Sequence, residues 1–243
     1  MDLYLFFLAA FGVAVFGIGK GGFAGPISML AVPVMSFGMN PIQAAGILLP
    51  LLVLMDIIAM YIYWKKWNIN LLKIIVPASI TGIIVGTFTF QYTSENQIRL
   101  IVGIISIAFV IISIVQKNNL ALNPTKIKGA FWSSVSGYTS FLIHAGAPPI
   151  NFYLLPLKLN KTTYIGTATF AFFIINIVKL IPYYFLDLLA LSNIKISLSL
   201  IPVAIISVLI GYYLQKKISE KIFYNLIYLL LFLSGIKLII DSI

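Results

Sequence analysis

The sequence contains no cysteine, one histidine and six acidic residues in 243 positions. Without cysteine, disulfides, thiolate metal sites and cysteine nucleophiles are excluded. With a single histidine and no cluster of histidine and acidic residues, we expect neither a metal enzyme nor a hydrolase. A signal peptide is also not expected, because Met1-Asp2 leads directly into apolar sequence without a basic leader or a small-residue cleavage site. The first apolar segment is therefore predicted to belong to the mature fold.

Charged residues are scarce, and apolar residues dominate instead. The chain is 61% hydrophobic and 9% charged, with a mean hydropathy of +1.07. A soluble domain of this size could not bury that much apolar surface. Apolar runs of about 18 residues or more predict membrane-spanning helices, and here such runs follow one another almost without a break. We predict an all-α polytopic membrane protein.

Ten apolar segments can be read from the sequence, which gives about eight to ten membrane segments. They are Leu3–Ile18, Phe23–Phe37, Pro41–Trp64, Leu71–Tyr92, Gln97–Val115, Ala130–Ile143, Pro149–Leu157, Tyr164–Leu186, Ile196–Leu214 and Ile222–Ile240. Asn40-Pro41, Ser94-Glu95 and Ser219-Glu220 carry the capping signals of helix starts. The first two segments of each half are short and joined by glycine- and proline-rich stretches, which is typical of re-entrant hairpins or broken helices.

The two halves of the chain resemble each other. Shifted by 123 residues, three positions of the first half coincide with the same residue types in the second, and shifted by 125, four more do. The pairs are Pro26 and Pro149, Pro33 and Pro156, Ala45 and Ala168, Pro77 and Pro202, Gly86 and Gly211, Ser94 and Ser219, and Glu95 and Glu220. Two copies of a hydrophobic unit are typical of secondary transporters, whose site forms between the copies near the bilayer midplane. We therefore predict a first repeat over residues 1–118 and a second over 126–243, within one membrane domain.

The distribution of positive charge predicts the orientation. The net charge is +10, but the basic residues occupy short loops, which favours membrane orientation over nucleic-acid binding. If the chain crosses to the other side of the membrane at each segment, eleven lysines lie on one side: Lys65, Lys66, Lys73, Lys117, Lys126, Lys128, Lys158, Lys161, Lys216, Lys217 and Lys221. The other face receives only Arg99, Lys195 and Lys237. Both termini are then predicted to lie outside the cytoplasm of a bacterial plasma membrane, and the odd number of segments inverts the second repeat.

Four ionisable residues fall inside the apolar zone or at a hairpin tip: Lys20, Asp56, His144 and Lys179. Intramembrane charges are expensive and usually face a partner or an interior path. Asp56 and Lys179 lie 123 residues apart and so occupy matched positions, where they are predicted to meet. Two interpretations stay open: a structural ion pair, or an anion-attracting Lys179 with a proton-coupling Asp56. His144 is interpreted either as a hydrogen-bonded structural group or as a group that responds to pH near neutrality.

The hairpin tips are the favoured binding elements. The stretches from Gly19 to Pro26 and from Ala145 to Pro149 each precede a short segment, and small residues allow close approach of a ligand. Amide groups at the start of such helices point partial positive charge at an anion. Lys20 is alternatively a cytoplasmic loop residue that follows the orientation rule, and Gly21 after it excludes a Walker A loop. The residues predicted to bind substrate are Lys20, Gly21, Gly22, Gly25, His144, Gly146, Asn151, Thr167, Asn176 and Lys179.

At these residues the chain resembles the TauE/SafE sulfite exporter family, also called the 4-toluene sulfonate uptake permease family. The similarity rests on KGGFAGPISMLAVP from Lys20, NPIQAAGILLPLLVLMD up to Asp56, HAGAPPINFYLLP from His144 and YIGTATFAFFIINIVKLIPY from Tyr164. The resemblance implies export or uptake of small anions such as sulfite, thiosulfate and organosulfonates.

We predict a secondary transporter of a small sulfur-containing anion, with membrane lipids as its surroundings and no cofactor. In the absence of a nucleotide motif, transport is driven by an ion gradient of protons or sodium, by the membrane potential, or by the anion's own gradient. Proton coupling through Asp56 or His144 is favoured. Alternatives are a transporter of another small organic anion such as a carboxylate, an anion channel, a membrane enzyme, or a subunit of a larger machine. The sequence leaves open which anion is carried, the direction of transport and the oligomeric state.

Overall fold

The structure, a computed structural model, describes residues 3–23, 28, 31–35, 37–92, 94–115 and 125–243. Within these ranges all regular structure is helical, as predicted. The helices are α1 (Leu3–Gly22), α2 (Ala31–Met35), α3 (Pro41–Ile62), α4 (Ile69–Thr89), α5 (Glu95–Val115), α6 (Lys126–Ile143), α7 (Ala147–Leu154), α8 (Lys161–Phe185), α9 (Leu191–Ser199), α10 (Ile201–Lys216) and α11 (Glu220–Ile240). Short 3₁₀ turns follow α4 and α7.

The predicted helix starts are confirmed by their caps. The Asn40 side chain accepts a hydrogen bond from the amide of Ile42 at the start of α3. Ser94 accepts one from Gln97 at the start of α5, and Ser219 accepts one from Ile222 at the start of α11. Each cap satisfies an amide that has no partner in the first turn of a helix, and this fixes where the chain turns back into the apolar zone.

The helices are those of a multi-pass membrane protein. Among the described residues, five helices are long and apolar enough to cross a bilayer: α1, α3, α4 (with the 3₁₀ turn that follows it), α8 and α11. The pair α9 and α10 would supply a sixth span, bent by 52°. Their outward faces carry large exposed apolar side chains such as Phe88, Phe185 and Ile206, which suit contact with lipid tails rather than water.

Several predicted boundaries differ from the structure. The sixth segment, predicted to be short and to begin at Ala130, begins at Lys126 and has 18 residues. The first segment does not end at Ile18, because α1 continues through Gly19-Lys20-Gly21 and reaches 20 residues, a full spanning length. The second segment, predicted over Phe23–Phe37, is helical from Ala31 to Met35 among its described residues. The ninth segment, predicted as one span, breaks at Leu200, since Pro202 lacks the amide that would continue the helix. Pro77, its match in the first half, lies inside α4 without such a break.

The core is built from reciprocal helix pairs. Helices α3 and α8 pack against each other, α1 packs against α10, α4 against α6, and α5 against α11. Glycines let the backbones meet at two of these interfaces. A Cβ atom at Gly21 would lie 2.0 Å from the carbonyl oxygen of Val208, and one at Gly137 would lie 2.0 Å from that of Ser79. Such approach is available only to glycine, and it closes the bundle around α3 and α8.

Candidate functional site

A small cavity with buried lining residues lies in the interior of the bundle. It has room for at least one water molecule. Its lining comes from both halves of the chain: Phe16, Lys20, Ser28, Leu52, Ser140, His144, Ala147, Phe172 and Asn176. Leu52 and Phe172 lie near the middle of α3 and α8. The cavity therefore sits near half depth of the two helices that form the core.

Lys20 reaches this cavity from the last turn of α1. Its side chain is buried, and Nζ lies 2.5 Å from Oδ1 of Asp56, a fully buried residue on α3. The other carboxylate oxygen of Asp56 accepts a hydrogen bond of 2.6 Å from Nδ2 of Asn176 on α8. The ammonium also lies 5.0 Å from the ring centre of Phe172 and 6.0 Å from that of Phe16. The interpretation of Lys20 as a cytoplasmic loop residue is therefore wrong.

Lys179 has different partners from those expected. Its Nζ donates to the carbonyl oxygen of Ser140 at 3.0 Å and to Oγ of Ser140 at 3.1 Å, and it lies 2.8 Å from Nδ1 of His144. An ammonium has three hydrogens, so these contacts use all of them. The predicted ion pair between Asp56 and Lys179 is not formed, because each meets the hairpin of its own half instead.

His144 ends α6 in the left-handed conformation, with φ of 55°, and its amide caps the helix through Ser140 and Thr139. Its Nε2 lies 3.0 Å from the carbonyl oxygen of Ala45, which can only accept. Nε2 therefore carries the hydrogen, and Nδ1 accepts from the Lys179 ammonium. This assignment makes the imidazole neutral and occupies both of its nitrogens.

The two buried pairs occupy matched places in the two halves. Asp56 and Lys179 are 123 residues apart, and Lys20 and His144 are 124 apart. In each half a basic residue at the hairpin contacts an ionisable residue on the third helix of that half, α3 or α8. Two links then cross between the halves, from Asn176 to Asp56 and from His144 to Ala45. The cavity lies between the pairs, and Lys20 and His144 both line it.

The start of α7 offers fewer amides than expected. Gly146 is the N-cap and Ala147 the first helical residue, but Pro148 and Pro149 follow directly and have no backbone N–H. Only the amides of Gly146 and Ala147 remain near the cavity at this helix end. The corresponding part of the first half, residues 24–27, lies outside the described residues, and the predicted site residue Gly25 is among them.

Several other predicted site residues have packing roles. A Cβ atom at Gly22 would lie 2.2 Å from the carbonyl oxygen of Gly211, so Gly22, like Gly21, is needed for contact with α10. Gly146 packs against Ser136 and Ser140, and its carbonyl accepts from the Ser136 hydroxyl at 2.7 Å. Gly21, Gly22 and Gly146 are not among the residues that line the cavity.

Two predicted polar residues lie away from the cavity lining. Thr167 accepts from the amide of Asn68 at 2.9 Å and so anchors the start of α4. Asn151 accepts from the hydroxyl of Tyr164 at 2.6 Å, which ties α7 to α8. Of the predicted substrate-binding residues, the structure therefore places three in the cavity lining: Lys20, His144 and Asn176. Lys179 stands directly behind His144 and Ser140.

The cavity also contains residues that sequence reasoning missed. Ser140, Phe16 and Phe172 line it, and none was singled out because hydroxyl and phenyl side chains are common in apolar helices. One signal was available for Ser140, which lies in the last turn of α6, shortly before His144.

Comparison with known proteins identifies a family. The family model described as Sulfite exporter TauE/SafE matches residues 5–238, nearly the whole chain. No curated protein and no solved structure matches the chain.

Proposed function

This chain belongs to the sulfite exporter TauE/SafE family, a family of membrane exporters and permeases for sulfite and related sulfur anions, and on that premise we propose a secondary transporter. Its substrates are small sulfur-containing anions such as sulfite, thiosulfate or organosulfonates. The observation that carries the proposal is the buried Lys20 side chain in the lining of a cavity in the interior of the bundle. A buried cation with space beside it is suited to a compact anion.

Three donors converge on the cavity. Lys20 Nζ has one hydrogen-bond acceptor among the described residues, Asp56, so two of its hydrogens remain for a ligand. The Ser140 hydroxyl accepts from Lys179, and its own hydrogen is available to donate. Asn176 uses one amide hydrogen on Asp56 and retains the second. An anion with oxygens on several sides, such as a sulfite or sulfonate group, can accept from all three.

Both the buried position of the cavity and the helix pairing support alternating access. Every residue that lines the cavity is buried, and Phe16, Leu52 and Phe172 lie in its wall, whereas an anion channel requires a continuous polar path. Each helix of one half has a counterpart in the other half: α1 in α6, α3 in α8, α4 in α10 and α5 in α11. When every helix is replaced by its counterpart, the α1–α10 contact becomes the α6–α4 contact, and the α3–α8 and α5–α11 contacts are unchanged. This pattern supports an inverted repeat over residues 1–118 and 126–243, in which one half moves against the other around a central site.

An ion gradient provides the energy in this proposal, since the sequence has no nucleotide-binding motif. Protons are the favoured coupling ion, because the site contains ionisable groups that line or adjoin the cavity. The excess of lysine on one set of loops supports insertion in a bacterial plasma membrane with both termini outside the cytoplasm.

Ligand-dependent thermal stability followed by flux tests the proposal. Purified protein is heated with sulfite, thiosulfate, methanesulfonate, sulfate, acetate or succinate, and hits are assayed for uptake into liposomes. We expect a sulfur anion to raise the melting temperature and to show saturable counterflow. The Lys20→Met variant should lose both responses, whereas the matched Lys195→Met variant, changed at an exposed lysine of α9, should keep them.

Other outcomes point to the alternatives. Stabilisation by carboxylates alone would replace the proposed substrate class, and non-saturating conductance would indicate a channel. A Lys20→Met variant that is folded and binds as well as the parent would contradict the assignment of the site.

A further inference from the structure

We infer that Asp56 is the proton-binding group of the transport cycle and that it competes with the transported anion for the Lys20 ammonium. This inference rests on the proposed function and assigns the coupling step within it. A proton on Asp56 releases Lys20 to the anion, so that one proton moves with each anion and in the same direction.

The contacts of Lys20 are the basis for this competition. Nζ contacts Oδ1 of Asp56 at 2.5 Å, and Lys20 is among the residues that line the cavity, whereas Asp56 is not. The ammonium therefore stands between its internal carboxylate and any anion that enters. When Asp56 is ionised, it already neutralises the positive charge of Lys20. An entering anion and the Asp56 carboxylate would then be two negative charges that share one cation.

Withdrawal of Lys20 toward an anion is unfavourable unless Asp56 becomes neutral. Asp56 is fully buried, and an ionised buried carboxylate without its cation is strongly destabilising. A proton on Oδ1 removes that charge, and Asn176 continues to donate to Oδ2. The protonated carboxyl remains hydrogen-bonded while Lys20 is free to hold the anion.

Among the described residues, the other charged groups that face Asp56 are few. Lys20 faces it from α1, and Lys179 on α8 is close enough to act on it electrostatically, with Asn176 as the neutral partner. His144, which follows α6, contacts the carbonyl oxygen of Ala45, and Ala45 lies on the same helix as Asp56. Lys195 of α9 is exposed, as is Lys216 at the end of α10, and neither faces the site.

His144 is less suited to carry the proton. Its Nε2 hydrogen is directed at Ala45 and its Nδ1 accepts from Lys179, so a second proton would break the contact with Lys179 and face that ammonium. Lys179 already uses its three hydrogens. The pair in the second half is therefore a fixed support, and the pair in the first half is the one that can open.

Linkage gives the expected size and direction of the effect. If a proton raises anion affinity by a given factor, the anion raises proton affinity by the same factor, and such couplings typically amount to about 5- to 150-fold. One proton per anion makes transport of a monoanion electroneutral and transport of a dianion electrogenic. The substrate charge then decides whether the membrane potential acts on the flux.

The test uses the full chain in liposomes, with methanesulfonate as the monoanion and thiosulfate as the dianion. A pH gradient, acidic outside, is imposed at equal anion concentrations. We expect the parent and the Asp187→Asn variant, changed at an exposed acid after α8, to accumulate methanesulfonate. The Asp56→Asn variant should not accumulate it but should retain exchange, because Asn imitates the protonated carboxyl. A potassium-diffusion potential should change parent flux of thiosulfate and not of methanesulfonate.

Two results would overturn the inference alone: pH-driven accumulation by Asp56→Asn, or loss of exchange in a folded Asp56→Asn protein. If Asp56→Asn does not fold, proton uptake by the parent on binding methanesulfonate in weakly buffered detergent solution decides the question. One proton per bound anion supports the inference, and none contradicts it. Absence of both binding and flux in the parent for every probe contradicts the proposed function, and the inference falls with it.

Discussion

Lys20 and Lys179 have the same side chain but different roles in the structure. Lys179 distributes its three hydrogens over Ser140 and His144, and it holds the second hairpin against α8. Lys20 contacts one carboxylate and faces the cavity and two aromatic rings. Among the residues that the structure describes, Lys20 has fewer hydrogen-bond partners than Lys179, and on this difference we propose Lys20 as the lysine that meets the ligand.

The Lys20–Asp56 pair predicts a characteristic double-mutant result. Lys20→Met leaves a buried carboxylate without its cation, and Asp56→Asn leaves a buried ammonium without its anion. Each should lower stability by about 3–5 kcal/mol, while the double variant should lose much less, because no unpaired charge remains. Apparent melting temperatures in detergent measure these losses of stability. Lys195→Met, Asp187→Asn and the variant that combines them are the matched controls, because both residues are exposed. Losses that simply add would show that the two side chains do not stabilise each other.

Glycine-mediated contact is the main feature at the scale of the helices. Helices α1 and α10 meet at Gly21 and Val208, and α4 and α6 meet at Gly137 and Ser79, with each glycine against a backbone carbonyl. Lipid tails are as apolar as leucine, so helix association in a membrane depends on such close packing. These interfaces hold the two hairpins, and hence Lys20 and His144, at the positions that define the cavity.

Gly21→Ala and Gly137→Ala should each destabilise the protein by about 1–3 kcal/mol, because the added methyl group overlaps a backbone atom that cannot move independently. Gly38→Ala is the matched control. A Cβ atom there would meet the methyl ends of Leu5 and Leu8, at 2.6 and 2.8 Å, and these side chains can rotate away. Melting temperature and yield of folded protein are the measurements. Equal behaviour of all three variants would contradict the role given to the close contacts.

The whole molecule combines two halves that contact each other reciprocally. No helix of the central pair completes the site alone, since Asp56 on α3 needs Asn176 on α8, and His144 needs Ala45. In the proposed function, a cavity lined by both halves opens to one side when the halves move relative to each other, as alternating access requires.

The orientation can be tested with single cysteines, because the chain contains none. Ile243→Cys lies at the fully exposed C-terminal residue, and Thr162→Cys lies at the exposed start of α8 beside Lys161. In right-side-out spheroplasts, a membrane-impermeant thiol reagent should label Ile243→Cys and not Thr162→Cys, which should react only after lysis. The reverse pattern would invert the proposed topology, and labelling of both would place these positions on the same side.

The sequence by itself determined the class of the protein, the main helices and the ionisable residues of interest. Composition and long apolar runs are sufficient for this, because lipid permits only segments that satisfy their own backbone hydrogen bonds. Capping residues such as Asn40 and Ser219 further located helix starts, since they act within one turn. Intramembrane charge pointed to Lys20, Asp56, His144 and Lys179 for an equally local reason, the cost of burial.

Only the tertiary structure decided which of these residues meet. The matched spacing of Asp56 and Lys179 predicted a pair, yet each contacts the hairpin of its own half, because helix length and glycine packing set the depth of Lys20 and His144. The continuation of α1 through Lys20 also depended on packing, since glycine-rich sequence has weak intrinsic helix preference and here is stabilised against α10. Partner choice among buried charges is a property of distances across the bundle, and no local pattern encodes those distances.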